Sequence, residues 1–286
     1  MKEYLAVLQD ILDNGIDRDN RTGIPSRALF GKHVTVDLQD GFPAVTTKKL
    51  AFKAMRAELI WFLSGSRDER YLERLGAKIW RANAEAPYWK PKAEFEGDVG
   101  RIYGVQWRSW RTPNGEEIDQ VARLIDGLKN DPFDRRHIIT AWNPGELDQM
   151  ALPPCHLLYQ FHVDDENGLH LTMYQRSCDM FLGVPFNIAS CGLFTYIIAQ
   201  IVGMTPRTVQ ITLADAHIYH NHFDAVREQL SREPFTRPRL SISSDITDTF
   251  VRELKDRDNL SREDLDALFS LENYEHHPAI KAEMAV

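Results

Sequence analysis

Cys155 stands in the run Leu152-Pro153-Pro154-Cys155-His156, where two prolines fix the chain just ahead of a thiol. A side chain held in one place suits a nucleophile. The commoner fate of an isolated cysteine is burial as a small apolar group. Reactivity would need nearby cations or donors to favour the thiolate. Candidate cations are Arg21, Arg135, Arg136 and Arg176, each of which also fits a solvated or salt-bridged surface role. Converging in an acidic chain, such guanidiniums would make a phosphate site through bidentate bonds. His217, His220 and His222 raise the question of a metal, but no HExxH or other closed ligand set accompanies them. A histidine and Tyr219 that bond a sugar hydroxyl are as economical. No metal site is predicted.

The elements that must position these groups follow from periodicity. Tyr4, Leu5, Leu8, Ile11 and Leu12 recur at helical spacing and stop at Asn14-Gly15. Residues 57–64 predict a second helix, and Ile118, Val121, Ile125 and Leu128 a third. Residues 138–142, 157–163, 169–174 and 208–213 predict strands, the middle two joined by a hairpin connection at 164–168. Residues 188–204 are apolar, interrupted by Ser190, Thr195 and Gln200, and shorter than a membrane span needs. They predict a buried helix ended by Gly203 and Pro206. Helices and strands mix without βαβ alternation, so the fold class is α+β. Residues 84–98 read as a surface loop, and 252–271 as a solvated charged face in which Ser261 and Asp264 cap a short helix.

A chain of 286 residues with 43% hydrophobic and 27% charged residues can bury a sizeable core. Its net charge of −8 argues against binding nucleic acid broadly by counterion release, while leaving room for a local basic pocket. Three cysteines at irregular spacing fit neither a disulfide framework nor a CxxC metal site, which points to a reducing, cytoplasmic setting. The first residues lack the basic and apolar regions of a signal peptide.

In order and spacing, several strings together resemble the thymidylate synthase family over nearly the whole length. They include Asp19-Asn20-Arg21-Thr22-Gly23, Phe42-Pro43-Ala44-Val45-Thr46-Thr47-Lys48-Lys49, Glu58-Leu59-Ile60-Trp61-Phe62-Leu63 and Gly104-Val105-Gln106-Trp107-Arg108. Ala151 to His156, Tyr174-Gln175-Arg176-Ser177-Cys178-Asp179, Pro185-Phe186-Asn187-Ile188-Ala189-Ser190 and Asp215-Ala216-His217-Ile218-Tyr219 continue the match. His277-Pro278-Ala279-Ile280-Lys281 and the final Ala285-Val286 complete it.

The resemblance implies one catalytic domain over residues 1–286, with insertions at 84–98 and 252–271. It implies a three-layer α+β fold whose twisted mixed sheet forms the interface of a homodimer. Cys155 would add to carbon 6 of dUMP, and methylenetetrahydrofolate would supply one carbon and a hydride. Arg176 would bond the phosphate and lower the thiol pKa; Arg21 and Ser177 would share the phosphate. Arg135 and Arg136 would cross from the second subunit. Asn187 would read the uracil edge, where related dCMP hydroxymethylases carry Asp. His217 and Tyr219 would hold the deoxyribose hydroxyl, with Gln175, Cys178, Asp179 and Ile218 completing the nucleotide's surroundings. Glu58 would be the general acid–base and Tyr103 would assist proton removal from carbon 5. Asp179 would bond the pterin; Ile79, Trp80, Asn83, Leu182, Gly183, Phe186, Tyr219 and Ala285 would line the folate cavity. The C-terminus would close over the ternary complex and exclude water.

Arg81 departs from the family's usual acidic residue, Ala51 from a frequent histidine, and Cys191-Gly192 from Tyr-Ala. These departures bear on the cofactor wall, so a 5-hydroxymethylase of the same superfamily, with water replacing hydride, is the rival reaction. A catalytically silent RNA-binding relative is the rival of another class, against which the charge and the complete residue set both speak.

Overall fold

The structure, a computed structural model, describes residues 1–283; Ala285, expected in the folate cavity, lies outside the described residues. Six strands form the main sheet: β1 (Ile16–Arg18), β2 (Ser26–Asp37), β5 (Ile138–Thr140), β6 (His156–Val163), β7 (Gly168–Asp179) and β8 (Thr205–Tyr219). Short strands β3 (Trp110–Arg111) with β4 (Glu117–Ile118), and β9 (Arg239–Ile242) with β10 (Phe269–Glu272), form two antiparallel pairs. The main sheet runs in the order β1-β2-β8-β7-β6-β5. Only β7 and β8 are parallel, joined through a helix, so the sheet is mixed.

The helices are α1 (Lys2–Asn14), α2 (Phe52–Ser64), α3 (Glu69–Arg74), α4 (Arg81–Ala84), α5 (Tyr103–Arg108), α6 (Gln120–Asn130), α7 (Gly183–Val202), α8 (Phe223–Leu230), α9 (Asp248–Glu253) and α10 (Arg262–Leu268). α1 buries Tyr4, Val7, Leu8 and Ile11 on one face, against β2 and β8. The N–H of Gly15 donates to Ile11 O and ends the helix. α7 packs on β7 and β8, and α2 packs on α7, so the helices stack outward from one face of the sheet. α2 is buried on nearly every side, as expected of a helix between two layers. Gly65 stops it in the left-handed region (φ 69°), where a Cβ would lie 2.8 Å from Arg108 Cβ. Each fully buried Ile, Leu or Phe of α7 contributes about 1.5–3 kcal/mol. α7 has 20 residues and is long and apolar enough to cross a membrane by composition, yet it is mostly enclosed by its own protein. It is a core helix, longer than the sequence pattern defined.

The predicted helices and strands are present with shifted ends. Ile118 belongs to β4 rather than α6, and β7 and β8 run on past residues 174 and 213. β2 was not predicted: Gly31, Lys32 and His33 interrupt its alternation, and only Ser26, Ala28, Val34 and Val36 are buried along its 12 residues. Residues 84–98 are more than a surface loop. Trp89 is buried and donates its indole N–H to Asp98 O, while Asp98 accepts a forked pair of bonds from Arg67. Residues 252–271 contain the expected capping box of Ser261 and Asp264. They are not simply a solvated face, because Leu254, Leu265, Leu268 and Phe269 enter the core and β10 pairs with β9.

Candidate active site

Cys155 sits at the mouth of β6, partly buried beside a register shift between His156 and Leu158. The ladder continues past that irregularity, since Arg176 N–H on β7 donates to Cys155 O (2.8 Å). A bulge of this kind re-aims side chains. Here it leaves Cys155 on the cleft wall while His156 turns inward. The Arg176 guanidinium donates to Pro153 O and Pro154 O, both at 2.8 Å. The two prolines therefore supply the acceptors that hold it beside the thiol. Other donors of the fork remain for an anion.

A cleft of about 840 Å³ brings Cys155, Arg176 and Ser177 together with Arg21, His217 and Tyr219. Arg21 comes from the β1–β2 turn, which Asn20 shapes by accepting from Thr22 N–H (2.9 Å) and donating to Ile24 O (2.8 Å). His217 Nδ1 lies 3.2 Å from Asp215 Oδ1, and Asp215 accepts from Arg18 at 2.5 Å. Among the described residues His217 Nε2 has no partner, which suits it to meet a ligand. His220 is bonded to Asp17 and His222 to Glu283 O, so the three histidines do not converge.

Behind the cleft wall lies a buried polar run. Trp80 donates its indole N–H to Glu58 Oε1 (2.7 Å). Tyr103 stacks on Phe62, and its hydroxyl accepts from Cys155 N–H (2.7 Å). Burial pushes Glu58 up to about 7, with the Trp80 bond opposing. Burial also holds Tyr103 well above its ordinary value, helped by the neighbouring Cys155. For Cys155, burial raises the thiol pKa and outweighs the opposite pull of Arg176, Tyr103 and Arg21. The expected lowering by Arg176 is thus one contribution, and it does not win in the chain alone.

At the start of α7, Asn187 Oδ1 accepts from Gln175 Nε2 (3.0 Å), which also donates to Ser177 O (3.0 Å). The Asn187 amide is thereby oriented, and its NH₂ has no hydrogen-bond partner among the described residues. Asp179 Oδ1 accepts from the N–H groups of Phe181 and Leu182, and an added Cβ on Gly183 would sit 3.7 Å from both Asp179 and Asn187. Leu182, Phe186 and Asn83 are partly buried, and Ile79 is 37% exposed.

Some predicted residues are placed differently. The Cys178 and Ile218 side chains are wholly buried, so only their backbones could serve a ligand. Arg135 and Arg136 are exposed and do not line the cleft of their own chain. Arg81 pairs with Glu73. Gly192 allows close packing, since a Cβ there would lie 2.5 Å from Pro43 Cγ.

Sequence reasoning missed Arg18 and Tyr88 as wall residues. Tyr88 donates its hydroxyl to Ala151 O (2.7 Å) and comes from the segment read as a loop. Arg18 stands just before the quoted Asp19–Gly23 string, which was the signal available for it. Among the described residues no group of three or more His, Cys, Asp or Glu side chains is placed to hold a metal ion. The ordered strings that supply these groups are matched as a whole by a family model described as thymidylate synthase, over residues 2–286, and the chain belongs to that family.

Proposed function

We propose that this chain converts dUMP to dTMP, with methylenetetrahydrofolate as co-substrate. The observation that carries the reading is one thiol, Cys155, on the wall of a cleft that also holds Arg21, Arg176, His217 and Tyr219. Arg176 and Arg21 bind the phosphate; His217 and Tyr219 hold the sugar hydroxyl, which leaves the base over Cys155. Cys155 then adds to carbon 6 of the uracil, making carbon 5 nucleophilic. Because burial disfavours the free thiolate, activation belongs to the loaded site, where Arg176 and the Tyr103 hydroxyl stand beside the sulfur. Asn187 presents its NH₂ to a carbonyl of the pyrimidine. Glu58, poised near neutrality, holds or releases a proton next to Trp80, and Tyr103 assists proton removal from carbon 5.

The residues at the start of α7 fit a folate: Asp179 keeps carboxylate acceptor capacity for a pterin N–H, and Leu182, Gly183 and Phe186 offer a partly buried, largely apolar wall. When bound, the folate supplies the one-carbon unit and the hydride. The exposed face of the sheet, carrying Tyr174 and Ile138, supports a homodimer that brings Arg135 and Arg136 to the second subunit's cleft. The three free cysteines accord with a cytoplasmic setting.

Supplying dUMP and methylenetetrahydrofolate should yield dTMP with a rise in dihydrofolate absorbance. Hydroxymethyl-dUMP with no dihydrofolate would replace the hydride step by water. Cys155→Ser should cut turnover by at least about 10³-fold while dUMP binding, read by equilibrium dialysis, persists. Turnover that survives would remove Cys155 from the chemistry.

A further inference from the structure

Arg18 and Asp215 line the cleft beside His217 and Tyr219, and neither has a part in the mechanism above. The register of the main sheet brings them together: Arg18 on β1 lies opposite Ser26 on β2, and Ser26 lies opposite Tyr219 on β8. Side chains two apart on a strand share a face, so Asp215, His217 and Tyr219 form one row on the side that Arg18 also takes. Arg18 Nη2 donates to Asp215 Oδ2 (2.5 Å). His217 Nδ1 lies 3.2 Å from Oδ1 of the same carboxylate and 3.1 Å from Asp215 O. One carboxylate is thus held at both oxygens, by a guanidinium on one side and an imidazole on the other.

The direction of the His217 bond follows from its partners. A backbone carbonyl can only accept, and so can an ionised carboxylate. The His217 bond, with Arg18 helping against burial, holds Asp215 below the usual carboxylate range, so it is ionised near neutrality. Nδ1 therefore carries the proton, and Nε2 of the neutral ring keeps a lone pair. Nε2 has no partner among the described residues and is not one of their enclosed polar atoms, which leaves it open on the cleft wall. The Arg18 and Asp215 side chains remain 56% and 36% exposed, so their pair adds little to stability. Its effect is on geometry.

We infer that Arg18 is a positioning residue for the nucleotide's sugar: it holds Asp215, which fixes the His217 ring so that Nε2 accepts from the deoxyribose hydroxyl. An untethered Asp215 would let the ring settle with either nitrogen toward the cleft. A donating nitrogen there would leave the hydroxyl's own proton in search of another acceptor. The row from Arg18 to His217 thus favours a nucleotide whose sugar keeps that hydroxyl over one that has lost it. This inference deepens the proposed function and rests on its placing of the sugar at His217 and Tyr219.

The test compares Kd for dUMP with Kd for 2′,3′-dideoxyuridine monophosphate, which keeps the base and phosphate but lacks the hydroxyl, by equilibrium dialysis on the full chain. Arg18→Gln should weaken dUMP about three- to fivefold, the scale of one exposed ion pair, and leave the dideoxy analogue unchanged. Asp215→Asn should do the same, and the double variant should be no worse than the weaker single. Arg18→Lys, which keeps a cationic donor, should recover part of the loss. If Arg18→Gln weakens both ligands equally, Arg18 acts on the phosphate or on the cleft's shape, and the inference is overturned. Single effects that multiply in the double variant overturn it as well, because Arg18 would then not act through Asp215. A parent that binds both ligands equally well takes the hydroxyl out of recognition and overturns this inference alone. A parent that binds neither ligand overturns the proposed function, and this inference with it.

Discussion

A carboxyl group enclosed beside an indole makes the charge state of the site depend on pH near neutrality. Glu58 is raised to about 7 in the fold by burial, against an ordinary 4.5. Between those values the folded chain holds a proton that the unfolded chain has released. Glu58's contribution to stability is therefore fully present below its unfolded pKa and is lost as pH rises through 7. At about 1.4 kcal/mol per pKa unit, the swing is on the order of 3 kcal/mol. Glu58→Gln, which keeps the shape and removes the charge, should exceed the parent in stability at pH 8 by about 1–3 kcal/mol. That advantage should shrink at pH 5.5, as read by urea unfolding; a difference independent of pH would mean that Glu58 does not titrate in this range. Turnover should drop in the same variant. At this scale the sequence was informative for Cys155, Glu58 and Asn187, because each lies in a string with its own spacing. It pointed to a lowered thiol pKa through Arg176, whereas the net direction is upward because it depends on how much protein surrounds the sulfur.

Two segments act through elements. Gly192 lets α7 lie against Phe42 and Pro43, where a Cβ would approach Pro43 Cγ to 2.5 Å. Gly192→Ala should cost about 1–3 kcal/mol, seen as a lower Tm, because a packed interior resists an added methyl. The 84–98 segment is clamped by Trp89 and by the Arg67–Asp98 pair, and Ala151 N–H donates to Val99 O just beyond it. The clamp makes Tyr88 a fixed part of the cleft wall. Tyr88→Ala should raise KM for dUMP three- to tenfold, roughly the worth of one aromatic contact, while KM for the folate changes less. Equal changes in both would assign Tyr88 to the cleft's general shape. The helices were readable because their apolar spacing is regular, as in α1 and α6. The 84–98 segment was not, because its order comes from a buried Trp and a buried ion pair that are far less periodic.

Among the described residues, the helices stack outward from one face of the main sheet, and strands of that sheet expose large apolar side chains. Phe30 is 82% exposed, and Tyr174 and Ile138 about two-fifths exposed. Large apolar side chains left exposed on strands of one sheet are what a self-complementary interface uses. Replacing Tyr174 and Phe30 with Lys should give a monomer by sedimentation velocity. Turnover should fall with it if, as proposed, Arg135 and Arg136 serve the second subunit's cleft. A monomer with full turnover would detach those arginines from the reaction. The α+β class and four of the main strands could be read from alternation. β2 could not, because its alternation fails at Gly31–His33 and its pairing with β8 is decided by residues far along the chain.

That pairing has a consequence for how the protein is made. Ser26 lies opposite Tyr219, and Asp37 opposite Thr208. Translation at about 5–20 residues per second leaves β2 without its partner for on the order of 10–40 s. During that interval α1 is the cover available to Val34 and Val36. High contact order of this kind slows folding and exposes strand edges to other chains. Nascent chains released before β8 is complete would lack the strand that carries His217 and Tyr219, and would offer β2 as an open edge for aggregation.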